Sequence, residues 1–180
     1  IYVYDNVQLI LKNITAVVGP DIKIYDNAVV KLINTNFSGN IDIYSYNHSK
    51  VYIENSTIDN TDIYTYDFSE AYMYNTTIDL VYTYDNSTLY ANNVICYADW
   101  YIKENSSASI VNARFYDDLK LYDTSRGYLN NVTFYGTFDD LYIYSNATAE
   151  VNGSNLRAVH MTGYYAQANI SFSDIASYIP

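Results

Sequence analysis

The stretch from Ile41 to Asp59 is one copy of a unit that recurs nine times along the chain, and a recurrence on that scale leaves few folds open. Its clearest mark is an apolar-x-apolar-x-Asn segment, at Leu9 to Asn13, Val30 to Asn34, Val51 to Asn55, Ala71 to Asn75, Leu89 to Asn93, Ala108 to Asn112 and Gly127 to Asn131. Two looser copies follow, Ala149-x-Val151-x-Gly153 and Ala168-x-Ile170-x-Phe172. Successive copies lie 18 to 22 residues apart. A unit that short cannot enclose a core, so each copy must bury its apolar face by stacking on the next.

Two pieces of every unit alternate apolar and polar residues at period two, the mark of strands with one buried face. The first piece carries Ile22/Ile24, Ile41/Ile43, Thr61/Ile63, Val81/Thr83, Trp100/Ile102, Leu119/Leu121 and Leu141/Ile143, and the second carries the apolar pair before each Asn. A third, short piece puts Ala16, Phe37, Ile58, Ile78, Cys96, Phe115, Phe134, Leu156 and Ile175 three residues after the Asn position. Three apolar ladders on three sides of a coil close a prism, so the spacing predicts an all-β, three-sided parallel β-helix of about nine coils. Right-handedness is expected by analogy with parallel crossovers. Residues 1–158 read as regular coils and 159–180 as an irregular last coil or cap. Ile1 and Val3 begin in register, which predicts an N-terminal coil with open strand edges. No apolar run is long enough to span a membrane, and any signal peptide is expected to have been removed.

Asn13, Asn34, Asn55, Asn75, Asn93, Asn112 and Asn131 recur at one place in the coil. In this they resemble the right-handed parallel β-helix proteins of the pectate-lyase-like group, in which a turn Asn repeats as an internal ladder. The resemblance implies a column of buried amides that satisfy one another along the axis, each offering both donor and acceptor. It speaks to architecture and leaves activity open, because such a fold hosts lyases, hydrolases, spikes, adhesins and plain scaffolds.

The chain holds 24 tyrosines against six phenylalanines, and many stand at one corner of the coil. Tyr4, Tyr25, Tyr44, Tyr64, Tyr84, Tyr122 and Tyr144 form an expected outward ladder interrupted by Lys103. Rings on neighbouring coils would lie about 5 Å apart, close enough to stack. In coils three and four this corner reads as two residues longer, at Tyr44 to His48 and Tyr64 to Phe68.

Reactive chemistry is sparse. A net charge of −11 with nine Lys and Arg offers no basic patch for nucleic acid. One cysteine, Cys96, excludes an intrachain disulfide and reads as a small buried hydrophobe beside Phe115 and Phe134. His48 and His160 match no metal spacing. Asp117, Asp118, Asp139 and Asp140, flanked by Lys120 and by Asp99, Asp79 and Asp59, could form a carboxylate edge for glycoside chemistry, yet Asp is common at turn corners. No catalytic residue, metal ligand or cofactor is assigned. Calcium suits such an edge better than catalysis does, but no Gly-rich calcium-repeat signature accompanies it.

Asn-x-Ser/Thr occurs eleven times. Asn36, Asn47, Asn86, Asn105, Asn146, Asn152 and Asn169 are expected to carry N-linked glycans, whereas Asn13, Asn55, Asn75 and Asn131 would be kept from it by the internal ladder. Together these features predict an extracellular or cell-surface glycoprotein, a filament or surface-layer subunit that self-associates end to end. The Tyr- and Asn-rich, Lys-poor style is similar to that of secreted archaeal surface proteins. The alternatives are a carbohydrate-binding or polysaccharide-cleaving β-helix, with surface glycans as partners, and a viral fibre or adhesin segment.

Overall fold

The computed structural model describes all residues except Val18, Thr137, Phe138, Phe172 and Pro180, with side chains through Ile175. It is all-β, and the strands pair in parallel along three ladders to form a solenoid of nine turns. The first face runs Tyr2–Val3, Ile22–Ile24, Ile43–Ser45, Ile63–Thr65, Val81–Thr83, Trp100–Ile102, Leu119–Leu121 and Leu141–Tyr144, ending on the second half of Asn155–Thr162. The second face stacks Leu9 on Val30, Val51, Ala71, Leu89, Ala108, Gly127, Ala149 and Ala168, as the repeat requires. The third places Ala16, Phe37, Ile58, Ile78, Cys96, Phe115 and Phe134 in one column. Phe172, in the last copy of the motif, lies outside the described residues.

Inward side chains from the three faces make one continuous core. Trp100 is fully buried, meets Phe115 edge-to-face with centroids 5.1 Å apart, and donates from its indole N–H to the Asp79 carbonyl at 3.1 Å. Cys96 is buried beside them as expected. Several of the hydroxyls that enter the core are bonded across coils, whereas those of Thr83 and Ser125 have no partner among the described residues. The hydroxyls of Ser49, Ser69, Ser87 and Ser106 donate to the carbonyls of Ile24, Ser45, Thr65 and Thr83 one coil away, at 3.1 to 3.2 Å. Such cross-coil bonds remove the cost of burying a hydroxyl.

Two registers differ from the sequence reading. Ile22 faces Ile43 rather than Ile41, and Val81 faces Ile63 rather than Thr61, while Ile43 faces Ile63 as expected, so the paired inward residues of coils three and four are Ile43/Ser45 and Ile63/Thr65. A shift of two residues keeps every side chain on its own face, so alternation alone cannot detect it. Apolar Ile41 favours the frame two residues upstream, whereas buried Ser45 and Thr65 are polar and carry no inward mark in the sequence. The corner of these coils is therefore not enlarged. Strands continue in register beyond residue 158, through Gln167–Ser171 and Asp174–Ile179, with a looser corner at Gly163 to Tyr165 where Tyr164 is fully exposed.

Candidate functional site

Each coil turns its corners with residues in the left-handed region, and these define two polar columns. Asn13, Asn34, Asn55, Asn75, Asn93, Asn112 and Asn131 have φ of 50° to 56°. Asp5, Asp26, Asn47, Asp67, Asp85, Glu104, Asp123 and Ser145 have φ of 57° to 60° at the other corner. Asn and Asp accept this conformation more readily than other residues with a side chain.

The Asn column is a ladder, with Nδ2 of Asn34, Asn75 and Asn131 donating to Oδ1 of Asn13, Asn55 and Asn112 at 3.2, 3.0 and 2.8 Å, and Asn93 donating to Asn75. It is not internal. All seven residues are exposed, because a left-handed residue swings its side chain outward from the corner. Burial therefore does not keep sugars from Asn13, Asn55, Asn75 or Asn131. Asn112 reaches Asn92, not Asn93, at 3.3 Å, which breaks the ladder into segments.

The tyrosines form two parallel columns on the first face where one was expected. The corner column is Tyr4, Tyr25, Tyr46, Tyr66 and Tyr84, with centroids 4.9 to 5.2 Å apart. It resumes at Tyr122 and Tyr144 after Lys103, whose ammonium lies 5.4 and 5.3 Å from the Tyr84 and Tyr122 rings. Tyr44 and Tyr64 belong instead to a strand column with Tyr82 and Tyr101, at 4.7 to 5.0 Å, an assignment that follows from the corrected register. Lys120 and Tyr142 continue it, and His160 stacks on Tyr142 at 4.4 Å. Lysine ammoniums thus fill the gaps in the ring columns, an arrangement the ring quadrupole favours.

Beside the strand column runs a row of aspartates two residues upstream, on the same side of the strand. Asp21, Asp42, Asp99 and Asp118 each accept the backbone N–H of the aspartate one coil on, at 2.9 to 3.3 Å. The phenols of Tyr44, Tyr64 and Tyr101 donate to Asp42, Asp62 and Asp99 at 3.0, 2.9 and 2.6 Å. The second face repeats the device at Tyr72 and Glu70. Burial, reinforced by these bonds, pushes the Tyr44, Tyr64 and Tyr101 phenols well above their ordinary range. This Asp-x-Tyr spacing is legible in the sequence at Asp42-Ile-Tyr44, Asp62-Ile-Tyr64 and Asp99-Trp-Tyr101, inside the longer repeat.

The carboxylate edge is divided by its cations. Oxygens of Asp99, Asp117 and Asp118 lie within 4.8 Å of one another, and the Lys120 ammonium bridges Asp99 at 2.5 Å and Asp118 at 3.0 Å. Burial and the neighbouring Asp99 charge push Asp117 up to about 6. Burial would raise Asp99 as well, but the Lys120 and Tyr101 hydrogen bonds outweigh it and hold that carboxyl low. Asp140 is clamped by Arg157 at 3.0 and 3.2 Å and by His160 at 2.7 Å. Asp139 is nearly buried, with Oδ2 unpartnered. Asp59 and Asp79 lie farther along the edge, Asp79 accepting the Asn60 N–H at 2.7 Å, and His48 stacks on Phe68 at 5.4 Å. The edge is a row of carboxylates stacked coil on coil, in which Lys120 bridges Asp99 and Asp118 and Arg157 and His160 hold Asp140.

Of the expected glycan sites, Asn36, Asn47, Asn86, Asn105, Asn146 and Asn169 are exposed and Asn152 is half-buried. Asn86, Asn105 and Asn146 share one corner position, whereas Asn47 stands in the left-handed acid column, its amide donating to Asp26 at 3.3 Å. On the second face a shallow groove of about 490 Å³ opens where Ser109 interrupts the column between Tyr90 and Tyr128. No protein-family model, curated protein or solved structure matches this chain. Among the described residues no helix is long and apolar enough to cross a membrane.

Proposed function

We propose that this chain is a glycosylated structural protein of the cell exterior, a subunit of a filament or surface layer built by stacking β-helix coils end to end. One observation carries the reading: the repeated side chains are spent on the neighbouring coil. Amides bond amides, carboxylates accept the next coil's N–H groups, and rings stack on rings, nearly from end to end. An enzyme concentrates its distinctive groups at one convergent place, whereas a scaffold repeats them.

Coil stacking is a heterologous contact that does not close on itself, so copies joined in this way form a fibre. In the first coil Leu9 and Leu11 are half-buried while Val30 and Leu32, one coil in, are fully buried. Whatever stacks there, further residues of a longer chain or another copy, would complete that burial. Exposed sequons on the corners leave room for sugars that do not obstruct the coil-to-coil contact.

Electron microscopy of the native material tests this. Fibres with an axial repeat of about 45 Å per nine coils, and extra density at Asn86, Asn105 and Asn146, are expected. Isolated short rods without sugar would overturn it. The second-face groove favours a carbohydrate-binding reading as the alternative, since Tyr90, Tyr128, Arg126 and Glu150 offer aromatic and polar contacts to a sugar chain. Binding of oligosaccharides by unassembled rods, abolished by Tyr128→Ala, would move the conclusion there.

A further inference from the structure

The two tyrosine columns are joined as well as parallel. The corner column runs unbroken from Tyr4 to Tyr84 and meets the strand column at Tyr46–Tyr44 and Tyr66–Tyr64, each 6.4 Å, and at Tyr84–Tyr82, 5.7 Å, with Tyr44, Tyr64 and Tyr82 themselves stacked at 4.8 and 5.0 Å. From Tyr82 the path continues to Tyr101 at 4.7 Å, returns to Tyr122 at 6.4 Å, and reaches Tyr144 at 4.5 Å, Tyr142 at 5.9 Å and His160 at 4.4 Å. No step from one end of the rod to the other exceeds 6.4 Å. Ring planes along it are within 17° of parallel, the arrangement in which neighbouring π-systems overlap best. A phenol gives up an electron readily only if its proton can leave at the same time. Tyr44, Tyr64 and Tyr101 each hold theirs against a carboxylate.

We propose that this face is a conduit for one-electron oxidation, accepting radical oxidants of the peroxyl class at the surface and passing the electron hole from ring to ring along the rod. At Tyr64 the oxidant takes one electron and is reduced to its anion, while the phenol proton moves to Asp62, leaving a neutral tyrosyl radical and a carboxylic acid. In the next hop Tyr44 supplies an electron to Tyr64 and its own proton to Asp42, and the Tyr64 oxygen recovers the proton from Asp62. One O–H bond forms as another breaks, and no net charge accumulates. The assignment does not depend on how rods join. Among the described residues Tyr101 is the single bridge between the two halves of the path, because Lys103 and Lys120 interrupt both columns beside it.

The test injects the hole at one end and looks for it at the other. Asn6, exposed beside Tyr4, is changed to Cys and carries a ruthenium photo-oxidant; Cys96 is buried and does not react. After flash excitation with a sacrificial electron acceptor at high dilution, oxidised tyrosines are mapped by peptide mass spectrometry. Products are expected at Tyr122, Tyr142 and Tyr144. Tyr101→Phe, which keeps the ring and leaves Lys120 to neutralise Asp99, removes those far products and leaves the near ones, whereas the off-path Tyr128→Phe changes neither. Products confined to Tyr2 and Tyr4 in the parent overturn the proposal whatever the variants do, as do far products that survive Tyr101→Phe.

Discussion

Asp117 and Asp140 stand on the same edge and titrate in opposite directions. Burial and the charge of Asp99 raise Asp117 to about 6, so the folded state holds a proton there that the unfolded chain releases near pH 3.8. Linkage then makes this group's contribution fully present below pH 3.8 and lost as pH rises through about 6. For Asp140, burial alone would raise the carboxyl, but Arg157 and His160 outweigh it and hold it below the ordinary value. Its contribution is present above the unfolded value and fades as pH falls through the folded one. Urea midpoints measured across the acidic range should therefore fall from about pH 4 to 6 in the parent, and Asp117→Asn should flatten that decline. An unchanged slope in the variant would show that Asp117 is not the group responsible. The Asp residues of this edge were visible in the sequence, but the pairing of one with Lys120 and another with Arg157 and His160 was not. Those partners come from different coils, and their approach depends on register.

At the scale of the element, the coil corners hold the shape. A left-handed residue other than Gly, Asn or Asp costs about 1–2 kcal/mol, and a neutral hydrogen bond contributes about 1 kcal/mol net. Asn75 has φ of 56°, donates to Asn55 and accepts from Asn93. Asn75→Ala loses both the conformational tolerance and the two ladder bonds, and a destabilisation of about 3–4 kcal/mol is expected by chemical denaturation. Asn75→Gly keeps the tolerance and should lose only the ladder bonds, about 2 kcal/mol; equal losses would place the whole effect in the amide ladder. Spacing in the sequence identified these Asn residues as one column. It did not say whether the column faced in or out, because at a corner the side chain leaves the two-residue alternation that marks inside from outside along a strand. The same blindness to a shift of two misplaced Tyr44 and Tyr64 and hid the second ring column.

For the whole molecule, stability is a sum over nearest-neighbour coils, and opening proceeds from the ends. Amide exchange in the isolated chain should be slowest around Ile53, Met73, Leu89 and Ile110, whose coils have neighbours on both sides, and fastest near Leu9 and Ile170. Uniform protection would mean that the rod opens only as one unit. In the assembled state proposed above, protection should extend to Leu9 and Leu11. The sequence by itself determined the solenoid, its nine coils, the three inward ladders and the buried place of Cys96, because a core built by repetition forces the same side-chain pattern at a fixed period. Only the tertiary structure decided that the amide ladder is external, that the tyrosines stand in two joined columns, and which cations neutralise which carboxylates. Those outcomes depend on how each coil is set over the one below it, and a periodic sequence is compatible with more than one such setting until the packed core selects it.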